Sequence, residues 1–229
     1  MAEYNDSRIR LWTKTPYTEI QYSVNYLSIN EETTRQMAAA GVNDTLYLFF
    51  VDKADDKVKY YRAKYKPPGN GYPIGLEWIS TTPTVLSNTL KPHGNISACN
   101  YTDENNNEKI MIAYACNTSG KNTNEVIMFS GTHNNFELFK QFETHTDYPA
   151  ENIYIEQGSV KGGEKKGYMF QVGYCNPDVG YHKGPIRCEI NYDNQNVSDW
   201  EITSIDPDNL FGSKLSGFVT YYSKHSTKR

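Results

Sequence analysis

Two stretches of the chain gather the residue types that hold a ligand without covalent chemistry. The first contains Tyr47, Tyr60, Arg62, Glu77 and Trp78; the second contains Arg187, Glu189, Trp200 and Glu201. A guanidinium offers a rigid fork of donors, a carboxylate accepts, and an aromatic ring covers an apolar C–H surface. Acid–base and nucleophilic chemistry have no comparable signature. The chain lacks a nucleophile elbow, a P-loop, a dinucleotide fingerprint and a metalloprotease helix motif. Of the five histidines, His133 and His182 fall in expected loops, His93 and His145 near junctions between units, and His225 in the tail. All read as surface or loop residues rather than bases.

Hard cations need several oxygen ligands, so the acidic runs are the places where a calcium loop could form. "DKADDK" (Asp52 to Lys57) and "DENNNE" (Asp103 to Glu108) read more simply as solvated hairpin turns. In "IDPDNLFG", Asp206, Asp208 and Asn209 are close, but Pro207 and the missing EF-hand glutamate make this a turn as well. No metal and no cofactor is expected.

The elements that must position these residues are strands. "LYLFFVDKADDKVKYYRAKY" (Leu46 to Tyr65) is a hairpin pattern, with apolar alternation on both sides of a charged turn. "LEWIS" follows around Trp78. The pattern recurs as "KIMIAYACN", "NEVIMFSG" and "NFELF" between Lys109 and Phe139, and again as "GYMFQVGYC", "PIRCEINYD" and "DWEIT" between Gly167 and Thr203. Leu46 to Trp78 and Tyr168 to Trp200 both span about 32 positions, and successive units begin about 60 apart. Upstream partner strands precede the second unit ("GNISACNYTDENNNE") and the third ("YIEQGSVKGGEKK").

Four antiparallel strands per unit describe a propeller blade. The expected fold is therefore an all-β propeller of about four blades in one domain, residues 1–229. "KLSGFVTYYS" from Lys214 and "SRIRLWTKTP" from Ser7 would share the last blade, unless the ring closes through a partner chain in a homodimer. "NEETTRQMAAAGVND" from Asn30 is compatible with one or two inserted helical turns. A two-sheet sandwich with long hairpins is the alternative. Of ten aromatics in the repeats and tail (Tyr47, Tyr60, Tyr61, Trp78, Tyr114, Tyr174, Tyr181, Trp200, Tyr221, Tyr222), half or more are expected to pack between sheets.

Composition narrows the partners. Aromatic content is 14%, with 19 tyrosines, and the net charge is −4. No basic patch beyond "KHSTKR" would attract phosphates, so nucleic acid is not expected. Neither an export signal nor a run of about eighteen apolar residues is visible, which points to a cytoplasmic protein away from membranes. Sequons at Asn5, Asn43, Asn95, Asn100, Asn117 and Asn196 are then incidental. The four cysteines, Cys99, Cys116, Cys175 and Cys188, lack C-x-x-C spacing and are expected as reduced, buried thiols, with a Cys175–Cys188 disulfide as the alternative.

At these repeats, from about Leu46 to Ser204, the chain resembles the fungal fucose-specific lectin family of β-propellers. The resemblance implies a sugar cleft between blades, held by an arginine from the second strand and a glutamate from the third, with an aromatic of the next blade stacked on the ring. On that pattern the arginine positions are Tyr47, Met111 and Met169, and the glutamate positions are Tyr60, Met128 and, nearest Arg187, Glu189. The charged pair is absent from all three clefts. The resemblance thus implies a glycan-binding lectin of altered specificity, with Arg62, Glu77, Arg187, Glu189 and Glu201 as polar partners of stacking Tyr and Trp residues. The alternative is an enzyme whose Met- and Tyr-lined cleft orients a small hydrophobic metabolite for cyclisation or cycloaddition. A third reading is a protein-binding propeller.

Overall fold

The computed structural model describes residues 8–12, 26–33, 37–66, 75–87, 90–117, 124–145, 153–157, 165–171, 175–176, 181–182 and 186–202. Every regular element among them is a strand. Strands β1 (Arg8–Trp12) and β2 (Tyr26–Glu32) form an antiparallel pair. The first larger sheet has the order β3 (Ala38–Val42), β4 (Thr45–Val51), β5 (Val58–Lys66), β6 (Gly75–Trp78), with β7 (Thr84–Val85) also on β5. The second is a meander of β8 (Pro92–Thr102), β9 (Glu108–Asn117), β10 (Asn124–Thr132) and β11 (Asn135–Glu143).

In the third, β12 (Ile153–Gln157) pairs with β13 (Lys166–Gln171). A short ribbon of β14 (Cys175–Asn176) and β15 (Tyr181–His182) follows in the chain. The sheet then continues through β16 (Ile186–Asn191), which carries both β17 (Asn196–Val197) and β18 (Glu201–Ile202). His182, expected in a loop, is in a strand. The stretch from Lys214, Tyr174, Tyr221 and Tyr222 lie outside the described residues.

The sheets stack face to face because each strand sorts its side chains by a period of two. Tyr47, Phe49 and Val51 of β4, with Val58 and Tyr60 of β5, pack on Ile110, Ile112 and Tyr114 of β9 and Ile127 and Phe129 of β10. The reverse side of the second sheet, with Met111, Ala113, Ala115, Val126 and Met128, packs on Ile153, Ile155, Met169, Cys188 and Ile190 of the third. The second sheet is thus buried on both faces, which accounts for the unbroken apolar run from Ile110 to Cys116. Three stacked sheets exceed the two layers of a sandwich.

Side chains also seal the sheet edges. Strand β8 lies beside both β3 and β12. The Asn95 amide donates from Nδ2 to the Ile153 carbonyl (2.5 Å) and accepts from its N–H through Oδ1 (3.0 Å). The Ile155 N–H donates to Ser97 Oγ at 3.0 Å. Backbone groups that β12 cannot pair within its own sheet are satisfied in this way.

Five non-glycine residues have positive φ: Asn43, Asp56, Asn106, His133 and Gln195. Each sits in the turn of a hairpin, and Asn and Asp tolerate this conformation best. Asn43 and Asn106 thus owe their places to turn chemistry. The expected helical turns after Asn30 are replaced by β3, whose Ala40 and Val42 alternate into the core. Residues 34–36 lie outside the described set. Core packing outweighs the modest helix preference of the alanines.

Cys99, Cys116 and Cys188 are free thiols, and Cys116 and Cys188 are buried, so the Cys175–Cys188 disulfide is not formed. No helix of the described residues is long and apolar enough to cross a membrane.

A candidate ligand-binding face

Tyr47 and Tyr60 are 1% and 2% exposed and lie in the interface between the first and second sheets. The His133 N–H donates to the Tyr47 hydroxyl at 2.6 Å, and the Tyr60 hydroxyl donates to the His133 carbonyl at 3.4 Å. The two phenols therefore clasp the β10–β11 turn of the next sheet. Burial raises the Tyr60 pKa above its ordinary value. Met111, Met128 and Met169 are wholly buried, so the cleft positions implied by the resemblance are filled by packing side chains.

Trp78 packs on Tyr61, with ring centroids 5.1 Å apart, on the side of the first sheet away from the second. Phe136 meets Tyr60 at 5.2 Å and Phe49 at 5.7 Å in the first sheet. Trp200 meets Phe142 of the second sheet at 5.9 Å and donates from Nε1 to the Glu143 carbonyl at 3.1 Å. Phe136 and Trp200 thus each reach back to the preceding sheet, and Trp78 faces the side toward β2. Arg62 is half-buried opposite Tyr47, and Glu77 is exposed opposite Lys64.

Of the residues grouped with Arg187 in the sequence, Glu201 approaches it, Glu189 pairs with Lys166, and Trp200 turns to the second sheet. On the third sheet, alternation turns Ile155, Met169, Cys188 and Ile190 toward the second sheet, and Tyr168, Arg187 and Glu189 to the other side. Two cross-strand rows result. One runs Glu156, Tyr168, Glu189; the other runs Tyr154, Phe170, Arg187, Glu201. The Arg187 guanidinium carbon lies 5.3 Å from the centroid of the Tyr168 ring, a cation–π distance.

One guanidinium nitrogen of Arg187 is 3.9 Å from a Glu201 oxygen, and the Lys166 ammonium is 2.7 Å from Glu189. Burial raises the pKa of Glu156. The guanidinium is 3.9 Å from its carboxylate neighbour and has five N–H donors, most of which stay available to an incoming acceptor. Tyr168, Glu156 and Lys166 were missed in the sequence. Their parity with Arg187 and Glu189 becomes a signal only once the register is known.

The leading aspartate of each acidic turn finds its partners within its own hairpin. Asp52 and Asp103 are each only 6% exposed, not solvated as expected. Asp52 pairs with Lys59 at 2.5 Å and accepts from the Ala54 N–H at 2.9 Å. Asp103 pairs with Lys109 at 3.0 Å and accepts from the N–H groups of Asn105 and Asn107, both at 2.9 Å. Turn amides and a lysine replace the lost water, which is what makes burial of each carboxylate tolerable. No group of His, Cys, Asp and Glu able to hold a metal occurs among the described residues.

No protein-family model and no curated protein matches the chain. Among solved structures, it is similar to a fucose lectin from Kordia zhangzhouensis in complex with methyl-fucoside, at 16% identity and a TM-score of 0.40, over 72% of this chain and 97% of that one. That lectin is bacterial. A likeness at this level leaves any functional reading to the residues themselves.

Proposed function

We propose that the protein binds carbohydrate through the face of the third sheet that carries Tyr168 and Arg187. The observation behind this reading is the guanidinium laid on the Tyr168 ring, with Glu201 and Glu189 on the same face. Such a group presents flat, oriented donors to hydroxyl and ring oxygens, while carboxylates accept from hydroxyls and aromatic surface receives the C–H face of a sugar. As part of the same reading, the three sheets are blades of one propeller domain, with β1 and β2 belonging to a further blade.

The test is a glycan array with free-sugar competition, run on wild type, Arg187→Ala and Arg187→Lys. Loss of a charge-assisted hydrogen bond should weaken binding by about tenfold or more in Arg187→Ala. Lysine should recover little, since it keeps the charge but not the planar fork. Folded protein with no competable binding, or binding that is indifferent to Arg187→Ala, would sink the proposal. Deleting residues 214–229 tests the ring separately: an unchanged unfolding midpoint would count against closure through that segment.

A further inference from the structure

Arg187 is held by a ring rather than by hydrogen bonds. Its guanidinium carbon lies 5.3 Å from the Tyr168 ring centroid, and no guanidinium N–H donates a hydrogen bond among the described residues. Two carboxylates share its side of the third sheet, yet neither closes on it. Glu189, two positions along β16, is drawn to Lys166 at 2.7 Å. Glu201 stands directly across on β18 but stops at 3.9 Å, beyond hydrogen-bond range, with its side chain 66% exposed. A guanidinium fixed through its face keeps the planar fork of donors at its edge unfilled. The Arg187 side chain is itself 45% exposed, so a ligand can reach that edge from solvent.

We propose that this face selects acidic sugars, a uronate or sialate residue whose carboxylate docks in the Arg187 fork. The inference rests on the sugar-binding reading above and names the class of sugar. Two parallel N–H···O bonds match a planar carboxylate, whereas a neutral hydroxyl fills only part of the fork. The entering group takes the direction that Glu201 holds at a distance, and Glu201 has the solvent exposure to turn away. Lys166 keeps Glu189 from competing for the same donors. The paired charges of the face, Arg187 and Lys166 against Glu189 and Glu201, balance. Burial disfavours the charged form of Glu156, which limits the repulsion an anion meets from the β12 side.

The test is an array of glucuronate-, galacturonate- and sialate-terminated glycans, each printed beside its uncharged carboxamide and probed with the full chain. At least one acid should bind about tenfold or more tightly than its carboxamide, as expected for a charge-assisted, two-bond contact. Arg187→Ala should erase that preference, and Arg187→Lys should restore little of it, because an ammonium lacks the fork. Glu201→Gln should widen the preference by removing the rival carboxylate. Neutral glycans that bind in an Arg187-dependent way, while every acid merely matches its carboxamide, would overturn this inference and leave the sugar-binding reading standing. An acid preference that survives in folded Arg187→Ala would overturn it as well. A blank array with folded protein would remove both.

Discussion

The Asn95 side chain grips the backbone of Ile153 as a neighbouring strand would, donating to its carbonyl and accepting from its N–H. Ile153 is fully buried, so water cannot replace either bond. Asn95→Ala should therefore cost roughly 2–4 kcal/mol, the sum of two buried groups left unpaired. Urea unfolding of mutant and wild type measures it. A change below half a kcal/mol would mean that the two edges hold without the amide.

The clasp on His133 predicts a graded pair of effects. Tyr47→Phe removes the acceptor of a 2.6 Å bond and should destabilise by about 1–2 kcal/mol, while Tyr60→Phe, at 3.4 Å, should cost less. Equal losses in thermal unfolding would contradict the geometry.

The Asp103–Lys109 pair predicts how stability follows pH. Burial alone would raise the Asp103 pKa, but the Lys109 and Asn107 hydrogen bonds outweigh it and hold the carboxyl below its ordinary 3.8. Lys109, hydrogen-bonded to Asp103, is held above its ordinary 10.5. The aspartate contributes stability that is present above 3.8 and lost as pH falls through its lower folded value. The lysine contributes stability that is present below 10.5 and lost as pH rises through its higher folded value. Asp103→Asn should flatten both limbs in melting profiles recorded from about pH 2 to about pH 11. A mutant profile that merely parallels wild type would show that the pair is not coupled to folding.

Burial pushes the thiols of Cys99, Cys116 and Cys188 up to about 12, 11 and 12. At neutral pH almost no thiolate is present, so iodoacetamide should leave Cys116 and Cys188 unmodified in the native protein and label them once urea unfolds it. Mass spectrometry of the digested protein reads this directly. Labelling of either residue at the rate of a free thiol would show that the packed core opens.

Strand positions were legible because alternation and turn chemistry are local. The hairpin at Leu46 to Tyr65, the three-unit repeat and the strands around Met111, Val126 and Arg187 all appear where the apolar spacing puts them. Arg187 and Glu201 were each picked out from the sequence, but their pairing rests on the register of β18 on β16. Facing partners were not legible. Tyr47 and Tyr60 have the residue type of a sugar platform, but the second sheet covers their side of the first, and they became core.

The alanines after Met37 prefer a helix only weakly, and a strand that buries Ala40 and Val42 wins. Tyr168 was overlooked because its pairing with Glu189 and its approach to Arg187 exist only through the register of β13 on β16. Sequence by itself determined the hairpins with strong alternation and which side chains share a side within them. Tertiary structure decided which sides are buried, because burial depends on what another sheet, distant in the chain, places against them.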